Sequence, residues 1–337
     1  MKAILVGLGG RGRHWLNACR VYPGVELVAY VEPAEANRTQ AIEEFDVPAA
    51  QIYPSLSEAA AASQADFVVD VTPPVIHESV AMEAFAAKLH LLGEKPLSDN
   101  YEAARRMATA GRKAGVRHMV TQNYRFEGLP RTTRRLLSEG LIGDCAQLDV
   151  SLYVNWADNP GSHYVTEPYM FLTDMGIHHF DMMRYTLRLE PLSVRAITWN
   201  LPWGWHQGDA CQLILFQFEN DVVATHRGVG CTVGSVPAGH NGEWRYEGQA
   251  GTLTWEGFEL FHSHQHRADP KVREILALDT SGLAENQNPV LHEFVTALED
   301  GRDPECNSED NLKSMAMVFG ALKSARENGT EVILSEL

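Results

Sequence analysis

The strongest constraint on the fold sits near the N-terminus. An apolar run at residues 3–6 opens without a break into Gly7-Leu8-Gly9-Gly10-Arg11-Gly12-Arg13, and helical periodicity follows to about residue 21. A strand that turns on glycines and feeds a helix is the start of a βαβ unit. In this G-x-G-x-x-G run Gly7 permits the tight turn, Gly9 lets backbone approach a ligand, and Gly12 allows close helix packing. The alternation continues: residues 26–31, 67–71, 90–92 and 118–121 are short and apolar, whereas 55–62 and 76–88 carry apolar residues at three- and four-residue spacing. This pattern predicts an α/β domain over residues 1–122, a doubly wound parallel sheet with helices on both faces.

The chemistry expected of that turn is dinucleotide binding. The N–H groups around Gly9, Gly10, Arg11 and Gly12, with the positive end of the helix dipole, suit a pyrophosphate. Glu32 closes the next strand about 20 residues after the turn, where a carboxylate accepts from ribose hydroxyls. The same carboxylate would repel a 2′-phosphate, which favours NAD over NADP. Arg11, Arg13 and Arg38 remain open to two readings, a phosphate cluster or solvated helix residues. Two further loops, Thr72-Pro73-Pro74-Val75-Ile76-His77 and Glu94-Lys95-Pro96-Leu97, each follow a strand. That places them at the carboxyl edge of the sheet, where open α/β folds bind ligands. Thr72, Pro73, His77, Glu94 and Lys95 are therefore expected beside the cofactor.

The whole chain has 337 residues, enough for two domains at roughly 150 each. Its 28 Lys+Arg against 44 Asp+Glu give a net charge of −16, which argues against nucleic-acid or anionic-membrane partners. The first apolar run is too short for a secretion signal, and no stretch approaches the ~20 apolar residues of a spanning helix. Five scattered cysteines without a C-x-x-C pair read as reduced thiols, so a cytoplasmic location is expected.

Beyond residue 122 the periodicity changes. A helix at 131–139 leads into alternating runs at 146–154, 193–199, 211–218, 222–229, 243–248 and 252–256, as in an antiparallel sheet, and helices follow at 290–299 and 311–327. Residues 172–187 have helical spacing, which puts Asp174, His178 and Asp181 at i, i+4 and i+7 along one face. An aspartate one turn from a histidine can orient it for proton transfer; the same pair also suits a helix-start carboxylate and a structural histidine. Trp156 and His163 are candidate substrate contacts, and Arg125 a candidate contact to substrate or cofactor; all three also suit surface positions. His262, His264 and His266 alternate along an expected strand, but no acid or cysteine completes a metal site, so no metal is expected. Trp199, Trp203 and Trp205 also alternate and are expected to cover an open sheet face.

Together these segments resemble the glucose-fructose oxidoreductase, inositol dehydrogenase and rhizopine catabolism (Gfo/Idh/MocA) family. The resemblance spans essentially the whole chain, continuing through Gln122-Asn123-Tyr124-Arg125-Phe126, Leu137-Ser138-Glu139-Gly140-Leu141-Ile142-Gly143 and Asp174-Met175-Gly176-Ile177-His178-His179-Phe180-Asp181. It implies a Rossmann domain at 1–122 and, at 123–337, an α+β domain whose large, mostly antiparallel sheet has one open face used for homodimer or homotetramer contacts. It implies that Asn123 joins the cofactor contacts, that Lys95 lies beside the nicotinamide, and that the peptide to Pro96 is cis. Asp174 and His178 fall on the family's D-x-x-x-H positions. The implied activity moves a hydride between NAD and a secondary alcohol of a sugar, polyol or related compound. His178, oriented by Asp174, takes the hydroxyl proton, and Lys95 steadies or relays it. The family also contains glycoside hydrolases that work by transient oxidation and elimination, and non-catalytic NAD(P)-binding sensors. In one departure, Tyr169-Met170-Phe171 stands where many relatives carry a Gly-Gly pair, so bulky groups are expected at the pocket wall.

Overall fold

A computed structural model describes residues 1–154, 165–234, 239–264, 273–279 and 288–337. The chain divides into two compact units, Met1–Asn123 with Ser281–Leu312, and Tyr124–Thr280 with Lys313–Leu337. The return of 281–312 to the first unit departs from the single boundary expected at residue 122.

The first unit opens with β1 (Lys2–Val6), α1 (Gly10–Val21), β2 (Glu26–Val31), α2 (Glu35–Phe45), β3 (Ile52–Tyr53) and α3 (Leu56–Ala62). It continues with β4 (Phe67–Asp70), α4 (His77–Ala86), β5 (His90–Gly93), α5 (Tyr101–Ala114) and β6 (His118–Val120). The six strands are parallel in the order β3-β2-β1-β4-β5-β6, the doubly wound dinucleotide-binding order. Ala3, Ile4, Leu5, Phe67, Val68, Leu91 and Leu92 are wholly buried, which is why these strands are continuously apolar rather than alternating. Helix ends follow local chemistry. The Asn100 side chain accepts from Ala103 N–H at the start of α5, and Gly115 takes the left-handed conformation that ends it.

In the second unit, α6 (Gly128–Ser138) and β7 (Cys145–Tyr153) precede a π turn, Phe171–Gly176, which runs into α7 (Ile177–Leu187). Strands β8 (Pro191–Trp199), β9 (Cys211–Phe218), β10 (Val223–Val229), β11 (Glu243–Gly248), β12 (Gly251–Glu256), β13 (Glu259–Ser263) and β14 (Arg273–Leu276) follow. After α8 (Pro289–Glu299) and α9 (Ser308–Arg326), β15 (Val332–Ile333) completes a nine-stranded sheet in the order β14-β13-β12-β11-β7-β10-β9-β8-β15. Only β10 and β7 pair in parallel; the other pairs are antiparallel. One face packs on α6 and α7: Trp255 donates to Thr133 Oγ1 at 2.8 Å, Tyr246 to Thr186 Oγ1 at 3.1 Å, and Phe180 meets Phe216 edge-on at 4.9 Å. The fold is the expected parallel sheet plus a large, mostly antiparallel one. The five cysteines are free, and among the described residues no helix is long and apolar enough to cross a membrane.

Candidate functional site

The glycine turn has the shape its sequence requires. Gly7 has φ +94°, a conformation that disfavours side chains, and a Cβ on Gly12 would lie 2.1 Å from the Gly7 carbonyl oxygen. Beside Gly10 a Cβ would meet nothing within 4 Å, so the loop is closed on one side and open on the other. Helix α1 begins at Gly10 with no side-chain cap, which leaves its first N–H groups available to an anion. These features fit a dinucleotide pyrophosphate.

Glu32 is buried at the end of β2, where Oε2 accepts from Leu8 N–H at 2.8 Å and from Asn37 at 3.2 Å, and Oε1 accepts from Ala34 N–H at 2.9 Å. The carboxylate thus steadies the glycine turn itself. Each of the three arginines has a local partner: Arg11 Nε lies 2.7 Å from Glu94, Arg13 bonds Gln40, and Arg38 donates to the carbonyls of Glu32 and Pro33 at 3.1 and 2.6 Å.

At the carboxyl edge of the same sheet, several residues expected beside the cofactor are occupied by the protein. The buried Glu94 carboxylate accepts from Arg11 Nε and Trp15 Nε1 at 2.7 Å, Thr121 Oγ1 at 2.9 Å and Lys95 N–H at 3.1 Å. Burial pushes its pKa up, but the Arg11 charge and these donors outweigh burial and hold it below the usual carboxylate value. His77 is held by backbone: Nε2 lies 2.8 Å from the Thr72 carbonyl oxygen and Nδ1 3.0 Å from that of Pro96. Both ring nitrogens are spent on backbone, so the ring braces two loops. Thr72 turns its N–H and hydroxyl onto Asp70 at 3.0 and 2.7 Å. Pro73 closes a turn, its carbonyl accepting from Ile76 N–H at 2.8 Å. The half-buried Lys95 stands on the braced loop, its N–H also 3.1 Å from Thr121 Oγ1, and the Lys95–Pro96 peptide is cis. Neither Thr121 nor Trp15 was singled out in the sequence, because a threonine at a strand end and a tryptophan on a helix look like packing residues.

In the second unit the expected single α-helix over 172–187 is a π turn followed by α7. A π turn takes one more residue than an α turn, and Asp174 lies within it. Such turns recur at functional sites. His178 sits in the first turn of α7, buried, with its ring stacked on Tyr124 at 4.3 Å. Tyr124 belongs to the 3₁₀ turn Asn123–Phe126, where Asn123 is half-buried. Asp181, expected on the same face as Asp174, instead grips the buried guanidinium of Arg125. Arg125 Nη2 donates to Oδ1 at 2.6 Å, Nε donates to Oδ2, and Ser314 adds a bond at 2.7 Å. Arg125 therefore ties the Tyr124 turn to α7.

The next residue anchors α7 from the other side. His179 Nε2 donates to the His240 carbonyl at 2.8 Å, so its Nδ1 accepts from His226 Nε2 at 3.0 Å, and His226 Nδ1 accepts from Gln212 at 3.0 Å. Burial lowers the pKa of His179 to about 4 and that of His226 well below the usual value, so both rings are neutral. No local sequence signal revealed this chain, because its members come from α7, β10 and β9.

Other expectations shift. Met170 and Phe171 are buried, and a Cβ on Gly228 would lie 2.3 Å from the Phe171 ring, so these bulky residues fill core instead of walling a pocket. Only Trp199 lies on a strand; Trp203 donates to the Cys231 carbonyl at 3.1 Å, and Trp205 stacks on His206 at 3.8 Å. Strand β13 ends at Ser263, and His262 turns inward to Glu274 at 3.1 Å. Trp156, His163 and His266 lie outside the described residues.

Residues 1–122 match the oxidoreductase family with an NAD-binding Rossmann fold, and 131–254 match the GFO/IDH/MocA C-terminal domain. An uncharacterized protein of Sinorhizobium fredii is 29% identical, over 96% of this chain and 93% of its own. D-apiose dehydrogenase of Paraburkholderia graminis is 26% identical, over 98% and 88%. An oxidoreductase of Agrobacterium radiobacter, crystallised with NAD+, L-tartaric acid and magnesium, shares the fold with a TM-score of 0.87 and 20% identity, over 100% of this chain and 99% of its own. Glycine cradle, strand order and family match define an NAD-binding oxidoreductase. The chain belongs to the Gfo/Idh/MocA family.

Proposed function

We propose that the protein is an NAD-dependent dehydrogenase of a secondary alcohol in a sugar, polyol or related compound. The observation that carries this reading is the Lys95 loop. It stands at the carboxyl edge of the glycine-turn sheet, with its backbone held by Glu94 and Thr121. A lysine on a braced loop suits repeated positioning of one reacting oxygen. The substrate class draws support from the likeness to D-apiose dehydrogenase along nearly the whole chain.

Gly7, Gly9, Gly10, Arg11, Gly12 and Glu32 would hold NAD, with Thr72, Pro73 and Asn123 beside it; when bound it supplies the hydride acceptor. The imidazole of His178, oriented by Asp174, takes the hydroxyl proton. Lys95 Nζ hydrogen-bonds the reacting oxygen and stabilises the charge that develops there. Glu32, together with the local partners of Arg11, Arg13 and Arg38, supports NAD over NADP. Arg125 acts as a strut and His77 as a brace. The test follows NADH absorbance across a panel of sugars and polyols. We expect Lys95→Ala and His178→Ala each to lose about 10²-fold or more in kcat; undiminished turnover in both would refute the assignments.

A further inference from the structure

A buried imidazole facing two carbonyl oxygens has a fixed chemical requirement. His77 is 2% exposed, and its two nitrogens lie 2.8 and 3.0 Å from the Thr72 and Pro96 carbonyl oxygens. Carbonyl oxygens only accept hydrogen bonds, and a neutral imidazole has one N–H and one lone pair. The neutral ring would satisfy one carbonyl and set a lone pair against the other. Only the doubly protonated ring donates to both.

The surrounding charges agree. Asp70 at the end of β4 is buried, and burial raises its pKa overall, the nearby His77 charge and two hydrogen bonds from Thr72 offsetting only part of that. Glu94 is the second carboxylate near Asp70 and is neutralised by Arg11. His118 on β6 is wholly buried, and burial with the His77 charge lowers its pKa to about 3, so it brings no competing charge. On α4 itself, Glu78 is engaged by Arg106 of α5 at 2.6 Å. A cationic His77 favours the ionised form of Asp70.

We propose that His77 is an imidazolium clamp joining the Thr72 loop to the Lys95–Pro96 loop, and that its charge holds Lys95 in position for the reaction. The charge follows from the geometry alone; its consequence for Lys95 rests on the function proposed above.

The test uses the full chain labelled with ¹⁵N. The His77 ring nitrogens are assigned through its own backbone resonances and checked against His77→Asn. Both nitrogens should carry protons at neutral pH and beyond, and one unprotonated nitrogen at pH about 7.5 would overturn the charge. Should the variant fail to fold, the wild-type spectrum still decides this point. In the holoenzyme, His77→Asn should lower kcat about tenfold, leave the Kd for NAD within about threefold, and abolish the alkaline decline of the wild-type pH profile. Unchanged kcat and profile would overturn the positioning role. If wild type turned over no alcohol, the proposed function would fail while the nitrogen spectra still settled the charge.

Discussion

The imidazole of His178 lies flat on the phenol ring of Tyr124, centroids 4.3 Å apart and planes 12° apart. A ring face carries negative quadrupole and attracts a cation, so the stack would favour the imidazolium that the proposed proton transfer forms on His178. It also fixes the ring plane. Tyr124→Leu should keep the apolar contact but lose the π face, and lower kcat about tenfold. Tyr124→Phe should keep near-wild-type kcat. Steady-state kinetics with saturating NAD distinguish these outcomes; equal activity in Tyr124→Leu would remove the stack from the mechanism.

Glu32 steadies the glycine turn by accepting from Leu8 N–H at 2.8 Å, and it is also the proposed ribose acceptor. Replacing it should therefore do two things. Glu32→Ser should leave the buried Leu8 donor unsatisfied, at about 1–3 kcal/mol of stability. It should also raise the KM for NAD about tenfold or more, and narrow the preference over NADP. Thermal melts with NAD and NADP kinetics on one preparation check both. A lower melting temperature with cofactor selectivity untouched would confine Glu32 to the structural role.

These two predictions show which parts of the site were legible in the sequence. The turn through Gly7, Gly9 and Gly12 was, because its backbone demands are local and only glycine meets them. The strands at Glu26–Val31 and Cys211–Phe218 were, because their hydrophobic patterns match their burial. The π turn was not: Leu172, Met175 and Met182 fit an α spacing equally well, so the extra residue leaves no mark in the pattern. The sheet edge that carries His77 and Glu94 is legible, but the hydrogen-bond partners of these residues are not. Their true partners, the Pro96 carbonyl and the Trp15 indole, lie far away in sequence. Residue type and sheet edge locate a site; the direction each polar group faces depends on tertiary contacts that spacing does not encode.

Acid should unfold the protein through its buried histidines. Burial lowers the pKa of His118 to about 3 and that of His179 to about 4, against about 6.5 when unfolded. Each group binds its proton more weakly when folded, so its contribution is full above pH ~6.5 and is lost as pH falls toward the folded value. The His118 and His179 shares of stability should be flat near pH 7–8, then each should drop by about 1.4 kcal/mol per pH unit below pH ~6. Glu94, also lowered, adds its loss only below its unfolded value of 4.5. Urea melts across pH 4–8 measure the slope. His118→Phe, which keeps a ring against Phe85, should remove one proton's share of it. An unaltered slope would mean that the ring is already charged in the folded state.

The outward face of the nine-stranded sheet carries Ile197, Leu213 and Leu215 at 51%, 38% and 42% exposure. Ile197 stands opposite Leu213 across β8 and β9, and Leu215 stands opposite Arg195 two pairs along, on the same face, so the three side chains form one patch. An exposed apolar patch on a regular sheet face is costly to leave in water and suits a second copy of the same surface. We expect a homodimer or homotetramer in solution, with this face at the contact. Light scattering behind size exclusion should give an oligomer for the wild type and a smaller species for Ile197→Lys with Leu215→Lys. Because both side chains point away from the core, the double variant should keep its NAD-induced thermal shift. A wild-type monomer, or an oligomer indifferent to both lysines, would place the contact elsewhere.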